Sequence, residues 1–283
     1  MTATGLAAML GLRRSGREWR GTCPCCGYPT AFVLTDGRRG PMGWCASCRD
    51  VAAIRAALAC GNLTRPTAEN TAAVRDAAAR RAKMREHAAT LWAGSGTVVG
   101  TPAARYLASR WLPDLARSAA LRYRADTPHP TGGRRPAMIA EIVNVAGDFL
   151  AIHRTYLRGD GSGKADVEPT KATLGPVWGG AVRLDAIAEE LTIGEGIETS
   201  ASAGRLLNLP AWAAVSAGNL AQGLVLPADV RRVTIAADHD GPGERAARQA
   251  ALRWQRDGRT VRIALPDQPG RDFNDILRGG GNA

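Results

Sequence analysis

From residue 186 onward the sequence alternates short apolar runs with stretches that place Ala and Leu on one face. This rhythm constrains the fold more than any other feature. "ELTIGEG", "AWAAVSAGN", "RRVTIAADHDGPG" and "TVRIALP" read as strands. "IETSASAGRLLNL" and "ERAARQAALRWQRDG" read as helices, the second stopped by Gly258. Strands separated by helices cannot pair as hairpins, so they wind into a mostly parallel, right-handed α/β sheet. Ligands of such sheets lie beyond the carboxyl ends of the strands.

Four carboxylates fall at that edge. Glu195 ends the first run, Asp238 and Asp240 end the third, and Asp272 lies in "PGRDFNDIL" after the last. Like charges brought together repel, and each costs free energy to desolvate. A turn accounts for Asp240 in "DGPG", but not for Glu195 between two glycines. A divalent cation accounts for all four. Hard oxygen ligands with positions left for water suit Mg²⁺ or Mn²⁺, with Glu195, Asp238, Asp240 and Asp272 as the ligand set. Glu195 lies apart from the pair and can also serve as a general acid or base. An ion held this way serves phosphoryl or nucleotidyl transfer.

The other end of the chain carries the cysteines. Cys23-x2-Cys26 is followed, 18 residues later, by Cys45-x2-Cys48. Two CxxC turns at this spacing present four thiolates to one structural Zn²⁺. Between them, "TAFVLTD" and "GRRGPMGW" read as two strands around a Gly-rich turn, which describes a zinc ribbon. Disulfides are disfavoured in a cytosolic chain, and a redox CxxC would open a helix in a βαβ setting. Cys25 is a substitute ligand, and Cys60 reads as a buried thiol.

Charge divides the same way. Residues 1–120 hold 17 Lys and Arg against 7 Asp and Glu, and residues 121–283 hold 20 against 19. A basic half beside a near-neutral half points to a polyanion partner, with a solvated basic surface as the plain alternative. Around the ribbon, Arg17 and Arg20 with Trp44 supply cations and a ring for phosphates and stacked bases. No run approaches the roughly 18–20 apolar residues of a membrane span. The N-terminal arginines follow the first apolar stretch rather than precede it, so a cytoplasmic protein with no membrane partner is expected.

The middle is plainer. Residues 61–95 are rich in Ala and Arg and form a basic helical linker, and "GTPAARYLASRWL" is a second helix capped by Thr101. "AMIAEIV" and "FLAIHRTYL" read as a hairpin. A long polar loop follows with Lys164 and Lys171. It lacks the spacing of a phosphate-binding P-loop.

These motifs together resemble the Toprim-domain primases. "IGEGIE" and "AADHDGPGERAA" resemble the Toprim signature, a Glu after one strand and Asp-x-Asp after a later one. "RDFNDIL" resembles the trailing acidic motif of primases, with Asp272 the best match and Asn274 or Asp275 the neighbouring choice. "GREWRGTCPCCGYPTAFVL…WCASC" resembles the zinc ribbon of bacterial and phage primases, and "AIHRTYLRGDGSGKADVEPTKATLG" resembles the segment preceding Toprim in primase-like proteins of mobile elements.

The resemblance implies four parts: a zinc ribbon over residues 1–60, a basic helical linker over 61–120, a small α+β subdomain over 121–185 and a Toprim domain over 186–283. It implies a DNA primase or primase-like nucleotidyltransferase making short primers on single-stranded DNA from nucleoside triphosphates. Glu195, Asp238 and Asp240 would be its catalytic residues, and Arg154, Lys164 and Lys171 would contact triphosphate or template. There is no GxxxxGK[ST] motif, so a replicative helicase would be a separate chain. A Toprim nuclease, or a non-catalytic nucleic-acid-binding module of a mobile element, would share most of these residues.

Overall fold

A computed structural model describes residues 2–16, 18–24, 31–37, 40–46, 54, 58 and 68–279, without the side chains of 68–75 and 77. The chain divides into two compact units, Met1–Lys83 and Met84–Ala283.

In the first unit, helix α1 (Ala3–Met9) is opened by Thr2, whose hydroxyl oxygen accepts from the Gly5 N–H. Four strands follow, β1 (Arg13–Ser15), β2 (Glu18–Gly21), β3 (Phe32–Gly37) and β4 (Gly40–Cys45). They pair in that order, each antiparallel to the next. β3 and β4 are the two strands expected around the Gly-rich turn. The pleat sends Phe32 and Leu34 inward, where they bury with Ala3 and Leu6 of α1.

The second unit contains two sheets. Helix α2 (Ala68–Ala93) begins in the first unit, and its last turns bring Ala88, Leu91 and Trp92 onto an antiparallel sheet. Helix α3 (Pro102–Ser109) starts after Thr101, as the Thr-Pro pair predicts. The sheet orders β5 (Leu121–Pro128), β6 (Arg134–Val143), β7 (Phe149–Tyr156) and β8 (Lys171–Leu174). β6 and β7 are the expected hairpin, while β5 was not anticipated. Both faces of β6 are covered. Ala137 and Ile139 meet α2, while Met138, Ala140 and Ile142 share a core with Tyr106 and Leu107 of α3.

The second sheet contains β9 (Val182–Arg183), β10 (Glu190–Gly194), β11 (Ala211–Ala213), β12 (Arg232–Ala236) and β13 (Thr260–Ala264), in the order β13-β12-β10-β11-β9. Only the β9 pairing is antiparallel. Helices lie on both faces. α4 (Ile197–Leu207) and α6 (Phe273–Gly279) share a small core with Ala236. α5 (Gly241–Arg256) packs Ala247, Ala250 and Trp254 on Leu191, Ile193, Val233 and Ile235. The expected mostly parallel α/β sheet is present. Two details differ from expectation. "AWAAVSAGN" keeps only three residues in β11, and α5 begins at Gly241, so Gly-Pro-Gly forms its first turn. Pro tolerates that position because N–H groups of the first turn lack intrahelical acceptors.

No helix among the described residues is long and apolar enough to cross a membrane.

Candidate functional site

The parallel register decides which residues meet. Gly194 pairs with Ala236 and Ala236 with Ala264, so β10, β12 and β13 end level with one another. Glu195 follows β10, Asp238 and Asp240 follow β12, and Asp272 stands just before α6. Gly194 lets α4 start close to the strand end, because a Cβ there would sit 2.8 Å from Ser200 Oγ.

A pocket of about 190 Å³ at this edge is lined by Asp238, His239, Asp240, Gly270, Arg271 and Asp272. Another, of about 220 Å³, opens at the opposite edge among Glu190, Arg232, Val233, Thr260 and Arg262. There both arginines already pair with Glu190, at 3.0 and 2.8 Å. The acidic edge is therefore the candidate site, and the other is a neutralised surface groove.

The carboxylates are under electrostatic tension. Burial raises the Asp238 carboxyl above its ordinary range, and Asp272 and Asp240 add to the rise, opposed by Lys171 and the Thr199 hydroxyl. Burial likewise raises Glu195, with Asp238 adding to it and the Ala217 N–H and Lys171 opposing. Asp238 Oδ1 is buried and makes no hydrogen bond. An orphaned buried carboxylate oxygen among like charges suits a hard cation. Among the described residues no three His, Cys, Asp or Glu side chains are gathered closely enough to cage an ion. Mg²⁺ needs no such cage, since it commonly keeps several waters and takes one or two carboxylates.

Asp240 and Asp272 also shape the backbone. Asp240 is the N-cap of α5, its Oδ1 accepting from the Gly243 N–H at 2.6 Å. Asp272 Oδ1 accepts from the Asp275 N–H at 2.8 Å, and Asp275 Oδ2 from the Asp272 N–H at 3.3 Å, a reciprocal cap. Asn274 turns inward, donating to the Arg110 carbonyl and Ser202 Oγ. Of the alternatives in "RDFNDIL", Asp272 is the one on the pocket wall. Behind Glu195, the Val215 N–H donates to the Glu195 carbonyl at 2.8 Å. Val215 adopts φ of 59° to do so, a conformation costing a β-branched residue about 1–3 kcal/mol.

Beside this rim stand two lysines. Lys171 Nζ lies 3.1 Å from Glu198 Oε2, and Lys164 Nζ lies 3.8 Å from Glu198 Oε1. The Tyr106 hydroxyl donates to Glu198 Oε1 at 2.6 Å. Neither Glu198 nor Tyr106 is marked by the sequence pattern. A Glu in a first helical turn reads as a partner of the helix dipole, and Tyr106 lies 92 residues away, beyond any local pattern. Arg271 also stands on the pocket wall, and nothing in its local sequence marks it.

Arg154 is placed differently from expectation. It is 6% exposed, and its guanidinium donates to the carbonyls of Pro128 and Thr173. It pairs with Ile139 and Ala172, so it lies on the face that α2 covers, where it ties two backbone segments together.

In the first unit, Arg20 pairs with Val33 and Val33 with Trp44, so the three share one sheet face. Trp44 is 49% exposed. Cys45 pairs with Phe32, which pairs with Gly21, two residues before Cys23, so both cysteines lie at one end of the sheet, and both are buried. Cys26, Cys48 and Arg17, with Cys25 and Cys60, lie outside the described residues.

Comparison with known proteins agrees with this architecture. A family model described as a Toprim domain matches residues 190–283, and one described as a domain of unknown function, DUF7146, matches residues 82–184. No curated protein matches the chain. Similar solved structures include the DnaG catalytic core, 17% identical with a TM-score of 0.51, covering 69% of this chain and 76% of that one. The zinc-binding and RNA polymerase domains of Aquifex aeolicus primase are 14% identical with a TM-score of 0.49, covering 99% of this chain and 80% of that one. The primase fragment of the bacteriophage T7 primase-helicase protein is 13% identical with a TM-score of 0.45, covering 94% of this chain and 96% of that one.

Proposed function

Because this chain carries a Toprim domain and the fold of the DnaG catalytic core, we propose that it is a DNA primase or primase-like nucleotidyltransferase. The observation that supports this best is the meeting, in one unit, of an acidic rim and a lysine pair. The rim offers Asp238, with its buried unpartnered oxygen, and one acidic neighbour to a hydrated divalent cation, and the lysines offer charge to phosphates.

In this reading a nucleoside triphosphate places its phosphates between Lys164, Lys171 and the rim. A primer 3′ hydroxyl attacks the α-phosphorus, a new O–P bond forms, and the bond to pyrophosphate breaks. Glu195, whose carboxyl is held above its ordinary range by burial, receives the hydroxyl proton or ligates the ion. Bound Mg²⁺ or Mn²⁺ would neutralise phosphate charge and stabilise the charge developing at the reacting phosphorus. Arg154 supports the sheet behind the lysines rather than touching substrate.

The first unit supplies the template site. Arg20 and Trp44 share an exposed face suited to backbone phosphate and a stacked base of single-stranded DNA, with Arg17 assigned to the same role. Cys23, Cys26, Cys45 and Cys48 would hold the structural Zn²⁺. Its placement at one end of the sheet is supported by Cys23 and Cys45. A separate replicative helicase and cytoplasmic action complete the reading.

The test is primer synthesis on single-stranded DNA with labelled nucleotides and Mg²⁺ or Mn²⁺. Short products from the wild type that vanish in Asp238→Ala and Glu195→Gln support it. Degradation of the template without synthesis would assign a Toprim nuclease instead, and binding alone a recognition module.

A further inference from the structure

Glu198 is one helical turn from Glu195, yet it takes no part in the acidic rim. It is 6% exposed, accepts hydrogen bonds from the Tyr106 hydroxyl and Lys171 Nζ, and forms an ion pair with Lys164 Nζ at 3.8 Å. Burial by itself would raise its carboxyl, but Lys171, Lys164 and Tyr106 outweigh that and hold it far below the ordinary carboxylate range. It is therefore a fixed anion, tied to one hydroxyl and two ammonium groups.

The lysines are not fixed in the same sense. They are 30% and 32% exposed, so their stems are packed while solvent still reaches them. Lys171 acts on both Asp238 and Glu195. Its Nζ lies 3.9 Å from where a Cβ on Gly196 would stand. The other charged groups acting on the cluster are Arg110, on Lys164, and Asp238, on Lys171, and His153 beside it is neutral, pushed down to about 4 by burial. Two ammonium groups this close to one another, with no counter-ion, would repel and favour loss of a proton from one of them. One carboxylate beneath two ammonium groups leaves a net positive edge facing the rim. An ammonium has three donors, and Glu198 uses only part of that capacity.

We propose that Glu198 is a positioning residue that sets the ammonium groups of Lys171 and Lys164 beside the acidic rim as a receptor for the phosphates of a nucleoside triphosphate. This rests on the nucleotidyl-transfer reading for its ligand. It also assigns a role to the joint between two segments. Tyr106, Lys164 and Lys171 come from residues 82–184, and Glu198 comes from the Toprim domain.

The experiment compares full-length wild type, Glu198→Gln, Lys171→Met and the double variant. Binding of Mg²⁺–ATP is measured by equilibrium dialysis, alongside KM and kcat in primer synthesis. Glu198→Gln keeps the side-chain shape and a partner for Tyr106 while removing the charge. The expected result is nucleotide affinity about tenfold weaker, KM for nucleotide raised much more than kcat is lowered, and single-stranded DNA affinity unchanged. The double variant should lose less than the sum of the two single losses, because Glu198 acts in part through Lys171. Wild-type affinity in a folded Glu198→Gln, or full additivity in the double variant, overturns the proposal. Should Glu198→Gln fail to fold, Tyr106→Phe takes its place, with a two- to threefold loss of nucleotide affinity expected and no loss overturning the proposal. Wild type that binds Mg²⁺–ATP in the expected pattern but makes no primer would sink the primase reading and leave this one standing. Wild type that binds no nucleotide overturns it.

Discussion

Asp240 Oδ1 and the Gly243 N–H lie 2.6 Å apart, so a carboxylate of the acidic rim is also the cap of α5. The two roles separate chemically. Asn caps a helix about as well as Asp, while Ala does not. Asp240→Asn should therefore melt within a degree or two of wild type, and Asp240→Ala should lose about 1 kcal/mol. Both should lose primer synthesis if the negative charge is what the rim needs. Thermal unfolding and synthesis assays on the two variants decide the matter, and an active Asp240→Asn would reduce Asp240 to a helix cap.

The orphaned Oδ1 of Asp238 implies a metal effect on stability. Burial and its acidic neighbours raise the Asp238 carboxyl, so its ionised form is a burden in the metal-free protein at neutral pH. Asp238→Asn should melt higher than wild type in chelator. Mg²⁺ at tenfold its dissociation constant should stabilise wild type by about 1.4 kcal/mol and the variant far less. Equal stabilisation of both by Mg²⁺ in scanning calorimetry would place the ion elsewhere.

His153 gives a pH dependence with a definite sign. Burial, helped by Lys171, pushes it down to about 4, and its Nδ1 is buried and makes no hydrogen bond. In the unfolded chain the ordinary value is about 6.5. Its contribution to stability is present above about 6.5 and is lost as pH falls through about 4, at most about 3 kcal/mol in all. His153→Leu lacks this component. Urea unfolding at pH 7.5 and 4.5 should show the variant gaining on wild type at the lower pH. A constant gap between them would show that His153 titrates normally.

Trp44 is an exposed ring on the face that carries Arg20. Stacking on one base contributes roughly 1–3 kcal/mol. Trp44→Ala should weaken single-stranded DNA binding at least about fivefold, with little change in melting temperature. Fluorescence anisotropy with a labelled oligonucleotide measures this, and unchanged affinity would remove that face from the template site.

What the sequence shows of this protein follows how local each signal is. β10, β12 and β13 are legible because apolar runs punctuated by helices have one economical solution, and Glu195 and Asp238 stand out because they directly follow two of those runs, while Asp272, eight residues past β13, stands out only within "RDFNDIL". Arg154 misleads because a cation in a strand looks like surface until α2 is known to cover that face of the sheet. Gly241 to Gly243 look like a turn because the cap that makes them helical is Asp240, a residue read for its charge. Glu198 and Tyr106 are invisible for a different reason. Their partnership exists only once α3 and α4 are packed, and nothing in either stretch announces the other.

The Tyr106–Glu198–Lys171 cluster also bears on how this chain could have been assembled. A Toprim domain excised at residue 186 would keep the Glu198 carboxylate and leave behind Tyr106, Lys171 and Lys164. The same cut would bare Ile197 and Ala201, which pack with Tyr106 and Leu107 of α3, and put apolar surface into water. The two segments are thus poor candidates for independent shuffling. A recombination that replaced one would have to replace the other, or change residue 198 at the same time.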